Sequence, residues 1–200
     1  TLEPSSAASD VYKRQIKNPI KQISSMSIEA DLLYDIDTLI LATGFDAMTG
    51  ALTSIDIVGR DNIKLKDQWE GGAKSYLGIG ITNFPNLFTI TGPGSPSVLS
   101  NMMPSIEQHV NWITDCIKWM IENEKEVIES SQTAEEDWMV LVNEIADMTV
   151  FTDTKSWYNG SNIETKAKSF LPFIGVPVYT EMLEEIVAED YKGFIFDKAN

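Results

Sequence analysis

Apolar positions along the chain gather into short runs separated by clusters of Gly, Pro and Ser. The first strong run is Thr38, Leu39, Ile40, Leu41 and Ala42, preceded by Asp37 and closed by Gly44. A short apolar, β-branched run ended by Gly predicts a buried strand that delivers a tight turn at its carboxyl end. In an open α/β sheet, ligands sit outside such ends. Upstream, residues 16–34 are rich in Lys and Ser with scattered Ile, which predicts an edge meander: a short strand over 19–23 and a hairpin to Ile28. Downstream, residues 51–80 carry Gly59, Gly71, Gly72 and Gly78 with little periodicity. They predict a long surface excursion with short strands at 55–58 and 63–65.

The second informative block predicts strand, loop and helix in succession. Leu87 to Thr91 reads as a strand, the Gly/Pro/Ser cluster from Gly92 as a sharp loop, and a helix follows from about Asn101. The free N–H groups and positive dipole end of such a helix suit an electron-rich oxygen, although an ordinary capped helix explains the same letters. That helix runs to about Asn123. Ile106, Val110, Ile113, Ile117 and Met120 form one face, and His109, Trp112, Cys116 and Trp119 much of another, so it should be largely buried. Pro104 falls in the first turn, where its missing N–H costs nothing. A lone His on a buried helix is more often a satisfied core residue than a general base. Past an acidic connector at 122–129, Thr133 to Glu136 reads as a capping box. Trp138, Leu141, Val142 and Ile145 follow it on one face of a helix of about sixteen residues. Near the end, Thr180 reads as a cap for a helix carrying Met182, Leu183, Ile186 and Val187, and residues 191–196 return as a short strand.

Charge narrows the partners. A formal net charge of -15, with Arg14 and Arg60 the only arginines, argues against nucleic acid, because phosphate contacts need clustered cations. No apolar run approaches a bilayer span, so no membrane partner is expected. With 43% apolar residues the chain can bury one substantial core. One Cys and one His are too few for a zinc cage, and a single thiol forms no internal disulfide, which fits a cytoplasmic setting. Asn159-Gly160-Ser161 satisfies the glycosylation sequon, but without a signal peptide it is discounted.

Residues 1–15 have no apolar period and resemble a translated sequencing-adapter read; a disordered natural tail is the alternative. They are excluded from fold reasoning, and residues 16–200 are expected to be the carboxyl-terminal portion of a longer chain.

Four stretches carry a family resemblance. Residues 42–52 resemble the A-T-G-F-D-A-x-T-G-A-L segment of Baeyer-Villiger monooxygenases, class B flavoproteins that insert oxygen next to a ketone. Trp69, Gly72 and Tyr76-Leu77-Gly78 match that family's W-x-x-G and Y-L-G spacing. Gly92-Pro93-Gly94-Ser95-Pro96-Ser97 through Leu99-Ser100-Asn101-Met102, with Ile106-Glu107-Gln108-His109, is similar almost letter for letter. Ser156-Trp157-Tyr158-Asn159-Gly160-Ser161-Asn162-Ile163 resembles the S-W-x-x-G-A-N-I-P-G-K stretch. There Glu164 and Thr165 replace Pro-Gly, Ser161 replaces Ala, and Lys166 matches the basic residue.

The resemblance implies an α/β fold, the carboxyl-terminal part of a Rossmann-like FAD/NAD(P)-binding domain with added helices. It implies FAD and NADPH as cofactors, with a ketone and molecular oxygen as substrates. Asn101 and Met102 would meet the isoalloxazine edge, and Ser97, Val98 and Leu99 would shape the ketone pocket. Trp157 and Lys166 would belong to a loop closing over NADPH, although packing explains a loop Trp equally well. No G-x-G-x-x-G opens a βαβ unit; Gly78-Ile79-Gly80 lacks the third Gly and a following helix. The family's F-x-G-x-x-x-H-x-x-x-W fingerprint and active-site arginine are also missing. The chain alone is therefore expected not to catalyse. Two alternatives stand beside this reading: an N- or S-hydroxylating flavin monooxygenase, and a non-catalytic globular module.

Overall fold

Short, polar, hairpin-forming segments can pair only with close neighbours, and the start of the chain does so. A computed structural model describes residues 19–41, 46–96, 101–154, 157–160, 167 and 174–198, the side chains of Phe151 and Trp157 excepted. The chain divides into two units, residues 1–44 and 45–200. The first is an antiparallel meander of β1 (Gln22–Ile23), β2 (Ser27–Glu29) and β3 (Leu33–Asp35). Ser24 closes its first hairpin by accepting the Ser27 N–H at 3.0 Å. Ile23 pairs with Ile28, so the expected meander is present. The strand expected at 37–41 is not. Residues 38–41 form no strand, and Leu39, Ile40 and Leu41 are exposed. A strand exists through its neighbours' hydrogen bonds, and no described residue pairs with this run. Its Gly44 turn lies outside the described residues.

The second unit holds α1 (Gly50–Thr53), α2 (Leu65–Gln68), α3 (Met102–Glu122), β4 (Val127–Ser130), α4 (Gln132–Asp147), α5 (Val176–Ala188) and β5 (Phe194–Asp197). Single 3-10 turns lie at Arg60–Asn62, Val150–Asp153 and Trp157–Asn159. β4 and β5 pair antiparallel, with Ile128 opposite Phe196. Helices and sheets together make the chain α/β, and both sheets among the described residues are antiparallel.

Helix α3 is buried along one side, not nearly all round as expected. Ser105, His109, Trp112, Cys116 and Met120 point inward, while Val110 and Ile117 are more than two-fifths exposed. Aromatic area decides this: Trp112 meets Tyr191 edge-on at 5.1 Å, and Trp119 lies 4.9 Å from Phe196 of β5. A buried indole removes more surface from water than a valine, so the helix turns its tryptophans to the aromatic strand. Trp138 and Val142 of α4 and Tyr179 and Leu183 of α5 complete that core.

Residues 51–64 hold no buried residue, as a surface excursion would, but from Leu65 the segment turns inward. Leu65, Trp69, Ala73, Ile81 and Phe84 form a second core, and the two expected strands reduce to one bridge between Val58 and Lys64. Leu65 instead opens α2. The strand expected at 87–91 likewise reduces to a bridge between Gly80 and Phe88. The acidic connector hides β4. Two helix starts also move. Ser131, not Thr133, caps α4, accepting the Ala134 N–H at 3.2 Å. Glu135 turns away from the cap and takes the Thr82 N–H at 2.9 Å. Gly175 at φ 77 starts α5, with Pro177 in the first turn, and Thr180 lies inside the helix.

His109 ties these parts together. It accepts the Thr91 N–H on Nδ1 at 3.0 Å, so Nε2 carries the hydrogen and donates to the Tyr179 oxygen at 2.9 Å. Tyr179 in turn donates to the Leu77 carbonyl at 2.6 Å. Burial pushes the His109 pKa down to about 4, against a weaker upward pull from the Thr89 backbone. Burial moves Glu135 the other way, upward.

Two outcomes follow. The unfolded chain protonates His109 near 6.5 and the folded chain only near 4, so this residue's contribution is complete above about pH 6.5 and falls away towards pH 4. The loss is roughly 3 kcal/mol, which Glu135 partly offsets because its folded form takes up a proton first. Urea melts from pH 7 to 4 should show the stability gap between wild type and His109→Gln narrowing by about that amount; a constant gap refutes the assignment. Gly78 sits at φ 74, and a Cβ there would meet the Ser95 Cβ at 2.5 Å and the Ser95 nitrogen at 2.7 Å. Gly78→Ala should therefore cost about 2–4 kcal/mol in the same assay.

Candidate functional site

Residues 89–95 form a loop whose polar groups are largely engaged. Thr89 donates its N–H to the Ile79 carbonyl at 2.9 Å and its hydroxyl to the Gly78 carbonyl at 2.8 Å. The Gly92 N–H also reaches the Gly78 carbonyl. The buried Ser75 hydroxyl donates to the Pro93 carbonyl and accepts the Gly78 N–H at 3.0 Å. Trp138 Nε1–H donates to the Gly94 carbonyl at 3.0 Å. At Gly94 the φ is 86, and a Cβ would lie 3.1 Å from the Ser75 hydroxyl oxygen, so the close approach needs glycine.

The loop leads to the amino end of α3, as expected. Asn101 is extended at φ -63 and ψ 122 and caps the helix, its carboxamide oxygen accepting the Met103 N–H at 3.1 Å. Pro104 has no N–H. Of the three leading positions, only Met102 keeps a donor, and that N–H has no partner among the described residues. Asn101 and Met102 are exposed. The positive end of a 21-residue helix thus keeps one N–H without a partner among the described residues, a setting suited to a carbonyl or anionic oxygen such as a flavin pyrimidine edge offers. Ser97, Val98, Leu99 and Lys166 lie outside the described residues.

Trp157 begins a 3-10 turn whose Asn159 is buried and donates from Nδ2 to the Thr154 carbonyl at 3.0 Å. Gly160 follows at φ 72 and lines a cavity of about 390 Å³. Asp46, Thr49, Lys66, Trp69 and Glu70 share its wall. This cavity brings together two of the resembling stretches, the one ending at Leu52 and the one at Trp157, and sequence reasoning missed it. The Gly72 and Trp69 spacing was its visible trace. A second cavity of about 380 Å³ is floored by Leu77, Trp138, Leu141 and Met182.

Side-chain chemistry in this unit is scarce. Both ring nitrogens of His109 are engaged and its ring is buried. Burial pushes the Cys116 thiol up to about 12, so it carries no thiolate. Arg60 is held by Glu129 at 2.6 Å, and Glu129 also accepts the Asn83 N–H at 2.7 Å. Among the described residues no nucleophile stands beside a free base.

No family model matches the chain. It is 40% identical over 181 residues to an acetone monooxygenase (methyl acetate-forming) of Gordonia sp., covering 88% of this chain and 34% of the relative. It is 37% identical over 180 residues to a cyclohexanone 1,2-monooxygenase of Acinetobacter sp., covering 88% and 33%. A phenazine N-monooxygenase of Lysobacter antibioticus is 37% identical over 182 residues, at 90% and 33%. The closed crystal structure of a cyclohexanone monooxygenase superposes with TM-score 0.87 at 37% identity, covering 92% of this chain and 35% of that one. A protein named OTEMO, solved with FAD and NADP, gives 0.84 at 32% identity, covering 90% and 34%. By sequence and by fold alike, the chain is a relative of the Baeyer-Villiger monooxygenases, of which it spans about a third of the length.

Proposed function

We propose that this chain works as part of an FAD- and NADPH-dependent monooxygenase that inserts oxygen next to a ketone, giving an ester or lactone. The observation carrying the reading is the sustained likeness to ketone monooxygenases over 88% of the chain, joined to the Asn101-capped amino end of α3. In this reading the flavin supplies the oxygen-inserting chemistry, and the chain supplies its surroundings. Asn101 fixes the helix end and Met102 faces the flavin edge; Ser97, Val98 and Leu99 shape the ketone pocket. Trp157 and Lys166 sit on a loop that closes over NADPH. The chain corresponds to the carboxyl-terminal part of a Rossmann-like domain, residues 1–15 are a tail foreign to it, and the enzyme is cytoplasmic. No helix among the described residues is long and apolar enough to cross a membrane.

An N-oxygenating parent is the second reading, favoured by the 37% identity to a phenazine N-monooxygenase. Substrate turnover separates the two.

The 200-residue chain given FAD and NADPH should oxidise no NADPH with cyclohexanone. Joined to the remaining length of a cyclohexanone monooxygenase, it should bind FAD and consume NADPH with cyclohexanone or acetone. Turnover of phenazine without ketone turnover would favour the second reading, and tight stoichiometric FAD in the chain alone would overturn the first. In the same chimera, Trp157→Ala should lower turnover about tenfold with little change in melting temperature. A Trp that only plugs the core would instead cost about 3–5 kcal/mol and shift melting by roughly ten degrees, with turnover of the folded enzyme preserved.

A further inference from the structure

Thr91 is held in the left-handed region at φ 50, where a β-branched residue is strained. Such a conformation persists only when its surroundings impose it. The side chain that takes its N–H is His109, eighteen residues along the chain in α3, at 3.0 Å. Thr91 opens the loop that Gly92 and Ser95 continue, and one imidazole, about two turns into α3, ties the start of that loop to the helix. The ring cannot swivel. It is 1% exposed, and its Nε2 hydrogen is taken by Tyr179, whose own hydrogen goes to the Leu77 carbonyl at 2.6 Å. Tyr179 thereby fixes the tautomer that leaves Nδ1 an acceptor. Packing alone does not ask for this arrangement, since an apolar side chain would fill the space without three buried polar groups to satisfy.

We infer that His109 is a positioning residue: through its bond to the Thr91 N–H it makes helix α3 set the conformation of the turn from Thr91 to Ser95, and so the shape of the ketone site. The link to the ketone site rests on the function proposed above. Three variants separate the roles. His109→Leu keeps the volume and removes both bonds. His109→Asn keeps an acceptor near the Nδ1 position, and His109→Gln reaches only the Nε2 position.

Residue-resolved amide exchange on the 200-residue chain should show Thr91 exchanging about tenfold faster in the Leu and Gln variants beyond any acceleration it shares with Cys116 and Val142, and no such excess in the Asn variant. Unchanged Thr91 exchange in His109→Leu overturns the inference. Should that variant not fold, equal Thr91 rates in the Asn and Gln variants overturn it. In the chimera, His109→Gln should raise the KM for cyclohexanone about tenfold with kcat and FAD content kept, and His109→Asn should restore it. The same KM in His109→Gln as in wild type overturns the link to the ketone site. A wild-type chimera that binds no FAD would remove the proposed enzyme, while the exchange rates still decide the role of His109.

Discussion

Irregular backbone buried away from water must find a partner for each N–H and C=O, and residues 75–95 meet that demand with side chains from every long helix around them. Tyr179 of α5 takes the Leu77 carbonyl, Trp138 of α4 the Gly94 carbonyl, and His109 of α3 the Thr91 N–H. Glu135 of α4 accepts from Thr82, and Glu129 of β4 from Asn83. The packing of the helices follows from these bonds as much as from apolar area. Each reaches the loop from a different side, so moving one helix would leave a buried carbonyl or amide unpaired at about 1–3 kcal/mol. The same bonds explain why α4 carries a buried glutamate in an otherwise apolar face. Its burial raises the pKa, and the Thr82 N–H pulls it back.

Not every apolar face finds cover in this way. Met103, Val110, Ile117 and Ile121 remain exposed along α3 at three- and four-residue multiples, opposite the aromatic face turned to β5. In the first unit Leu39, Ile40 and Leu41 are exposed as well. The chain matches about a third of its relatives' length. Strand propensity cannot act without a neighbouring strand, which is why 38–41 has a strand's letters and none of its hydrogen bonds.

What could be read in the sequence was what local chemistry decides. Asn101 before a long periodic run announces the start of α3, because a cap is a contact two residues away. The length of α4 and the meander around Ile28 were legible for the same reason. The errors lie where a distant partner overrules local pattern. Thr133 and Glu136 fit a capping box, yet Ser131 takes the cap, and the neighbouring Glu135 gives its carboxylate to Thr82, 53 residues upstream. Helix α3 reads as apolar nearly all round because Val110 and Ile117 look as apolar as Trp112, and only the aromatic β5 decides which side is covered. Residues 51–80 look like surface because glycines dominate their text. Yet Gly59 and Gly78 are what let the backbone come close to Asn83 and to Ser95, and Leu65 and Ile79 are fully buried.

The division of labour at the site follows from where reactive groups have been spent. The imidazole, the thiol and the arginine among the described residues are each committed: His109 to two hydrogen bonds, Cys116 to the core, Arg60 to Glu129. A unit that uses its versatile side chains to hold shape has little left with which to do acid, base or nucleophilic chemistry. What it can offer is geometry: a capped helix end, a glycine-tight loop and a cavity beside the Trp157 turn. Those are the contributions a protein makes when a bound cofactor does the bond breaking, since the cofactor needs its reactive edge oriented and its surroundings shaped. The scarcity of reactive side chains and the likeness to flavoproteins thus support the same reading from independent directions, one from the chemistry of single residues and the other from the whole chain.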